Sequence, residues 1–277
     1  MSCDSVEKKH GALFQHGKAN NRLYLMKWDG KEPTRLLQTI NQLVTANRYT
    51  KAFIKVPEHH APFFAQNEFE EEARVPAYYD LTACIFMGKF FDPNRSKVLP
   101  RTRETMDRNL ELALDKKREK SSQTLPQGFC LRGLISGDCE QLAALYRNVF
   151  RTYPFPIQDI AYLEQTMKDN ITYFGIFSGK NLVAASSAEM DLETSSVEFT
   201  DFATNPDYRG NGFAAILLAE MEKTMTMRGI KTHYTIARAL SAGMNITFAK
   251  AGYCYGGTLI NNTGISGNIE SMNVWYT

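Results

Sequence analysis

The sequence has no stretch of about 18 consecutive apolar residues, so no bilayer-spanning helix is expected. It also lacks an excess of either charge. Against 32 basic side chains stand 30 acidic ones, and the formal +2 over 277 residues is too weak a field to hold DNA, RNA or an anionic membrane surface. Nucleic acid and membranes are therefore set aside as partners. Cysteine is sparse and scattered: Cys3, Cys84, Cys130, Cys139 and Cys254 form no CxxC pair, and their odd number argues against a disulfide framework. They read as reduced, mostly buried thiols. Met1 to His10 is polar and charged, with no signal peptide in view, so a cytoplasmic protein is expected. His59-His60 has no further ligands at metal spacing, and no metal is expected.

What is present is an ordered alternation of apolar periods. Residues 1–92 form one expected unit, 93–128 a charged helical linker, and 129–277 a second domain. The linker's core, Pro100 to Lys120, carries Met106, Leu110, Ala113 and Leu114 at helical spacing and reads as an exposed connecting helix, broken at Ser121-Ser122-Gln123 and Pro126. Beyond it the expected order is β-α-α-β-β-β-α-β-α-β-β. The strands are Phe129 to Leu134, Ile171 to Phe177, Leu182 to Glu189, Val197 to Thr204, Ile230 to Ile236, and two near Tyr253 to Ile260 and Ile269 to Tyr276. The helices are Cys139 to Phe150, capped by Asp138, then Asp159 to Lys168, Gly212 to Arg228 and Ala242 to Ala251.

The segment that carries chemistry is Asn205-Pro206-Asp207-Tyr208-Arg209-Gly210-Asn211-Gly212-Phe213-Ala214, between a strand and a long helix. The first amides of a helix have no internal partners and the helix dipole favours negative charge there, so a diphosphate fits. Arg209 adds a cation. A dinucleotide fold would require a third glycine where Ala215 stands, and a Walker loop would require Gly-Lys-Ser/Thr. A plain helix-capping turn is the competing reading.

Arg209 to Ala214 matches the R/Q-x-x-G-x-G/A signature of the GNAT acetyltransferases, and Asn245-Ile246-Thr247-Phe248-Ala249-Lys250-Ala251-Gly252-Tyr253 resembles that family's helix ending in a Gly-aromatic pair. The resemblance covers Phe129 to Thr277. It implies an α+β GNAT fold, a mixed and largely antiparallel sheet flanked by helices. It also implies acetyl-CoA as donor, held by Arg209, Gly210, Asn211, Gly212, Phe213 and Ala214, with Ala203, Thr204, Asn245 and Phe248 beside them, and a small-molecule amine as acceptor. Gln15-His16-Gly17-Lys18, Glu72 to Tyr79 and Gly256 to Thr263 are similar to the β-lysine N6-acetyltransferase branch of the family, which implies the osmolyte Nε-acetyl-β-lysine as product. Another small amine or diamine, or a non-catalytic acyl-CoA-binding regulatory module, are the alternatives, and a homodimer is left open.

Amide formation requires a neutral amine, yet a lysine-type amine arrives protonated, so a base is needed. Glu198 and Asp201 on the strand before the loop are the candidates, Glu198 favoured, with Glu189 on the preceding strand as amine anchor. Strand alternation places Glu198 and Thr200 on one face and Asp201 on the other. The family's usual acid, a tyrosine, is Phe248 here, so either Tyr253 or Tyr255 is the expected proton donor or the thiolate leaves toward solvent. Arg238, helped by Asn245 and Asn273, is the expected reader of a substrate carboxylate.

The N-terminal region repeats one local pattern. Phe64-Ala65-Gln66-Asn67-Glu68-Phe69 parallels Phe248 to Tyr253, each after a helix and a β-rich run. Residues 20–92 are therefore expected to form a smaller α/β half-GNAT-like domain. Where its coenzyme turn would lie, Asp29-Gly30-Lys31-Glu32-Pro33 puts acids, and no coenzyme site is expected there. A chance echo of six residues is the alternative.

Overall fold

A computed structural model describes residues 4–116 and 124–277. Cys3 and the linker break at Ser121-Ser122-Gln123 fall outside them. The N-terminal elements are β1 (Ser5–Lys9), β2 (Ala12–Gly17), β3 (Arg22–Trp28), α1 (Pro33–Asn47), β4 (Lys51–Pro57), α2 (Ala61–Ala65), β5 (Glu70–Tyr79) and β6 (Thr82–Phe90). Then come α3 (Pro93–Ser96) and α4 (Pro100–Lys116). The rest is β7 (Phe129–Gly133), α5 (Cys139–Val149), α6 (Ile160–Lys168), β8 (Ile171–Ser178), β9 (Asn181–Asp191), β10 (Ser196–Thr204), α7 (Phe213–Met227), β11 (Thr232–Arg238), α8 (Ala242–Lys250), β12 (Cys254–Ile265) and β13 (Asn268–Tyr276). Among the described residues no helix is long and apolar enough to cross a membrane.

All thirteen strands join one sheet, ordered β1-β2-β3-β4-β6-β5-β12-β13-β11-β10-β9-β8-β7. Followed along the chain toward the central β5–β12 contact, the two sides share one order of connections, the C-terminal side adding α5 and α6 between β7 and β8. Each begins as an antiparallel meander, crosses over through a helix (α1 or α7) to a parallel strand, and closes with a short helix and a hairpin. The short helices end alike. Phe69 N donates to Phe64 O and Tyr253 N to Phe248 O, both at 3.1 Å. These are 6→1 helix stops with a left-handed residue before the donor, Glu68 at φ 67° and Gly252 at φ 97°.

The seam between the sides depends on glycine. A Cβ on Gly257 would stand 2.3 Å from Glu72 O, and one on Gly256 2.5 Å from Arg74 O, so only bare backbone lets β12 approach β5. Next to the seam β12 loses register between Leu259 and Thr263, which leaves backbone groups without ladder partners. Three N-terminal cations take those carbonyls: Lys51 Nζ on Ile260 O (2.8 Å), Arg95 Nε on Asn261 O (2.8 Å) and Arg22 Nη1 on Asn262 O (2.7 Å). Lys51 is fully buried, and its charge is met by Glu72 at 2.7 Å.

On β8 and β10, alternate residues pack on opposite faces. Phe174, Ile176, Val197 and Phe199 join the core under α7 and α8, while Tyr173, Phe177 and Ala203 join the one under α5 and α6. Two expectations are corrected. The linker helix is not merely exposed, because α4 buries Met106 and Ala113 and Asn109 Nδ2 donates to Ala239 O at 3.2 Å. Asp138 does not cap α5, since its carboxylate accepts from Ile135 N (2.9 Å) and pairs with Arg132 (2.7 Å).

Candidate active site

Two irregularities in β10 build the site. Its parallel pairing with β11 runs from Ser196↔Thr232 to Glu198↔Tyr234 and stops, so the two strands part. Its pairing with β9 slips between Thr200 and Ala203, and Asp201 sits in the slip at φ 57°. Such a bulge resets the alternation. Asp201, expected on the face opposite Glu198, instead lines the same cavity as Glu198, Thr200 and Glu189.

That cavity encloses about 1060 Å³ including its open side. Its far wall is N-terminal: Arg22 and Tyr24 of β3, Phe53 and Lys55 of β4, and Tyr78 of β5. A narrower cleft occupies the gap between β10 and β11, lined by Phe202, Ala237, Arg238, Met244 and Phe248. Tyr153, Thr200, Asp201, Ile236 and Met272 border both spaces, so a molecule lying in the cleft meets one lying in the cavity there.

Glu198 and Glu189 are direct cross-strand partners. Burial, and then the Glu189 charge, push the Glu198 carboxyl up to about 8. Burial raises Glu189 as well, with Lys55 pulling it back. Asp201 is raised by burial against three hydrogen bonds to its carboxylate, from Ser187 Oγ (2.5 Å), the Tyr153 hydroxyl and Thr200 Oγ1 (3.5 Å). The Asp201 oxygens are thus engaged, whereas Glu198 has the Tyr234 hydroxyl as its side-chain partner.

Following β10 in the chain, α7 starts at Gly212 (φ 71°), whose carbonyl accepts from Ala215 N (3.0 Å) and Ile216 N (3.2 Å). The Gly210 to Ala214 amides precede these first helical bonds. Gly210 holds φ 86°, with no heavy atom within 4 Å of where a Cβ would stand. Asn211 Nδ2 donates to Tyr208 O (2.9 Å) and braces the turn, and Arg209 is exposed at its rim. Phe213 buries its ring against Phe129, centroids 4.9 Å apart, so only its amide faces the turn. A cradle of free amides beside one guanidinium fits a diphosphate. Ala203 and Thr204 follow the bulge, on the stretch of β10 that has left β11.

Five side chains expected at the site have other surroundings in the structure. Asn245 spends both donors on Arg238 O and Ser241 O, and its carbonyl oxygen on Asn273 Nδ2 and Trp275 Nε1, so it fastens α8 to β13 and has nothing left for a coenzyme. Asn273 is spent on Asn245 and Thr258. Arg238 forms a bidentate pair with Glu270 at 2.9 and 2.7 Å and borders the cleft, not the cavity, so its fork already holds a carboxylate. Tyr253 is fully buried against Phe248 on the α7 side, with Glu222 as its charged neighbour, and lines neither space. Tyr255 bonds Thr258 at 2.5 Å. Phe248 is itself core, set edge-on to Phe202 at 5.6 Å.

Sequence reasoning missed Tyr153, Lys55 and Arg22. Tyr153 lies in the irregular loop between α5 and α6, where only the Tyr153-Pro154-Phe155-Pro156 texture marks a built segment. Lys55 and Arg22 lie in the half where no chemistry was sought.

A mixed sheet whose parallel pair parts beyond a bulge, beside an amide-rich helix start, defines the GNAT class of acyl transferases. The "Acetyltransferase (GNAT) family" profile matches residues 140–253. The chain is 38% identical over 274 residues to the β-lysine N(6)-acetyltransferase of Methanococcus maripaludis, covering 99% of this chain and 98% of that one. It is 32% identical over 265 residues to the N-acetyltransferase YodP of Bacillus subtilis (95% and 94%). To the β-lysine N(6)-acetyltransferase of Methanosarcina mazei it is 30% identical over 227 residues (75% and 83%). The chain belongs to the GNAT family and is an acetyl-CoA-dependent N-acetyltransferase.

Proposed function

We propose that this enzyme moves the acetyl group of acetyl-CoA to the terminal amine of β-lysine. The observation that carries this reading is the cavity itself. It is walled by four acids, Glu189, Asp191, Glu198 and Asp201, and by cations, and it meets the β10–β11 cleft where a thioester would end. Similarity along nearly the whole chain to a protein named for that reaction supports it.

In this reading the Gly210 to Ala214 amides and Arg209 hold the diphosphate, and Phe202 and Phe248 flank the arm in the cleft. Acetyl-CoA supplies the thioester. Glu198 accepts the proton of the incoming ammonium, burial and then the Glu189 charge raise its affinity for that proton, and Asp201 keeps Tyr153 in place. The amide groups of β10 beyond the bulge have no β11 partner, and they donate to the carbonyl oxygen as it gains charge. The amine nitrogen bonds to the carbonyl carbon, the carbon–sulfur bond breaks, and the departing sulfur takes its proton from Tyr153, which regains one as the nitrogen gives up its second proton on becoming the amide. Burial holds that phenol well above its ordinary value, so it stays protonated at neutral pH.

Residues 1–92 we read as a half-GNAT-like unit, on the mirrored strand order and the matched helix stops, with 93–128 as connector and 129–277 as the catalytic domain. In the place of its coenzyme turn, Asp29 Oδ1 accepts from Lys31 N at 3.0 Å and an acid occupies the anion position. Both walls of the cavity come from one chain, so a second copy is not needed to complete the site.

Incubation with acetyl-CoA and β-lysine is expected to release one thiol per Nε-acetyl-β-lysine formed, followed by thiol titration and NMR of the product. Turnover with other amines only would remove β-lysine. Tyr153→Phe should lower kcat by about 10- to 100-fold with acetyl-CoA affinity unchanged. An unaltered kcat would leave the sulfur's protonation to solvent.

A further inference from the structure

Buried cations in this protein fall into two kinds. Lys51 and Arg95 are consumed by the fold: Lys51 meets Glu72, and Arg95 holds Asn20 O, Asn261 O and Thr50 Oγ1. Lys55 differs. It lines the cavity, and its ammonium stands 5.7, 6.0 and 5.9 Å from the ring centroids of Tyr24, Tyr78 and Tyr234. Among the described residues, no carboxylate comes within ion-pair distance of it. It donates to the Tyr24 hydroxyl, and one such bond with an aromatic cage recovers only part of the hydration an ammonium loses. A fold with no use for the charge would do better with methionine.

Two further groups on the same wall are unspent. Arg22 is 4% exposed and fixed through Nη1 to Asn262 O (2.7 Å) and Thr263 Oγ1 (3.2 Å), yet its Nε has no partner. Asn262 is 1% exposed, and its Oδ1 has none either. Both residues line the cavity. Tyr24 ties the set together, since its ring centroid is 5.1 Å from the Arg22 guanidinium and 5.7 Å from Lys55 Nζ. The wall opposite Glu198 therefore holds two cationic donors and one acceptor, with Arg22 Nε and Asn262 Oδ1 buried and unpaired just behind its surface.

We infer that Lys55, with Arg22 Nε, forms a carboxylate-binding subsite in the N-terminal half, and that Asn262 Oδ1 accepts from a second amine of the same substrate. The ligand class is an amino acid with a distant primary amine. Its carboxylate is held on β3 and β4, and its reacting amine is delivered to Glu198 on β10. This rests on the amine-acetyltransferase reading above and extends it, making the coenzyme-free half the part that selects the substrate.

The test compares wild type with Lys55→Met on matched pairs with and without the carboxylate: β-lysine against 1,4-diaminopentane, and L-lysine against 1,5-diaminopentane. Wild type is expected to prefer the acid-bearing member of at least one pair by about 100-fold in kcat/KM. Because the Lys55 charge also lowers Glu198 and Glu189, the comparison is made on the alkaline plateau of each pH profile, where Lys55→Met is expected to abolish that preference with kcat/KM for the diamine within about threefold of wild type. Acetyl-CoA binding by the variant, measured by calorimetry, shows that it is folded. Equal loss on both members, an intact preference, or no preference in wild type would each overturn the subsite while leaving the acetyltransferase reading standing. A Lys55-dependent preference with L-lysine and no turnover of β-lysine would keep the subsite and remove the β-lysine assignment. Asn262→Ala should lower kcat/KM for β-lysine about 10-fold or more and spare 6-aminohexanoate, which lacks the second amine. Equal losses would take Asn262 out of the subsite.

Discussion

Gly210→Glu is expected to weaken acetyl-CoA binding by about 100-fold or more, the cost of setting a carboxylate where a diphosphate lies. Gly210 holds φ 86°, and its Cβ direction is open, so a side chain there meets strain but no steric clash. An L-residue in that region costs about 1–2 kcal/mol. Gly210→Ala incurs the same backbone cost without charge and is the proper reference. Titration calorimetry of both variants separates the two effects, and melting curves check that each is folded. Affinities within threefold of one another would mean that no phosphate contacts this turn. The coenzyme assignment would then have to move elsewhere.

Glu198→Gln is expected to lower kcat by about 10²- to 10⁴-fold, the usual contribution of a positioned base. The pH dependence is the sharper signature. With its carboxyl pushed up to about 8, wild-type kcat/KM should climb as pH rises through that region, and the variant should lack this rise. Stability has the opposite sign. An unfolded glutamate ionises near 4.5, so between about 4.5 and 8 the folded protein keeps a proton the unfolded chain has lost. Stability therefore falls as pH increases across that window, and glutamine removes this contribution. The variant should gain melting temperature relative to wild type at pH 9 and not at pH 4. A pH–rate profile indistinguishable from wild type would transfer the base role to Asp201 or to water.

Much of the scaffold was readable because it is local. The helix start at Gly212, the stop at Gly229 and the hairpin at Ser178 to Asn181 follow from backbone preferences of neighbouring residues, and the structure places elements there within a residue or two. The echo between Phe64 to Phe69 and Phe248 to Tyr253 was legible for the same reason, since one helix stop needs one short pattern. Side-chain roles were less readable. Arg238 and Asn245 have the right chemistry for a ligand, but Glu270 and Trp275 reach them from β13, and nothing near them in the chain announces it.

By itself the sequence determined the family, the glycine turn that opens α7 and the pair of acids on β10, because each depends on residues adjacent along the chain. The tertiary structure alone decided that Asp201 turns to the same side as Glu198, that Tyr153 and not Tyr253 lines the cavity and the cleft, and that Lys55 and Arg22 face them from the other half. A bulge acts through its pairing with the next strand, and a cavity wall through the closure of one sheet across the β5–β12 seam. Both are contacts between residues far apart in sequence, which no local preference encodes.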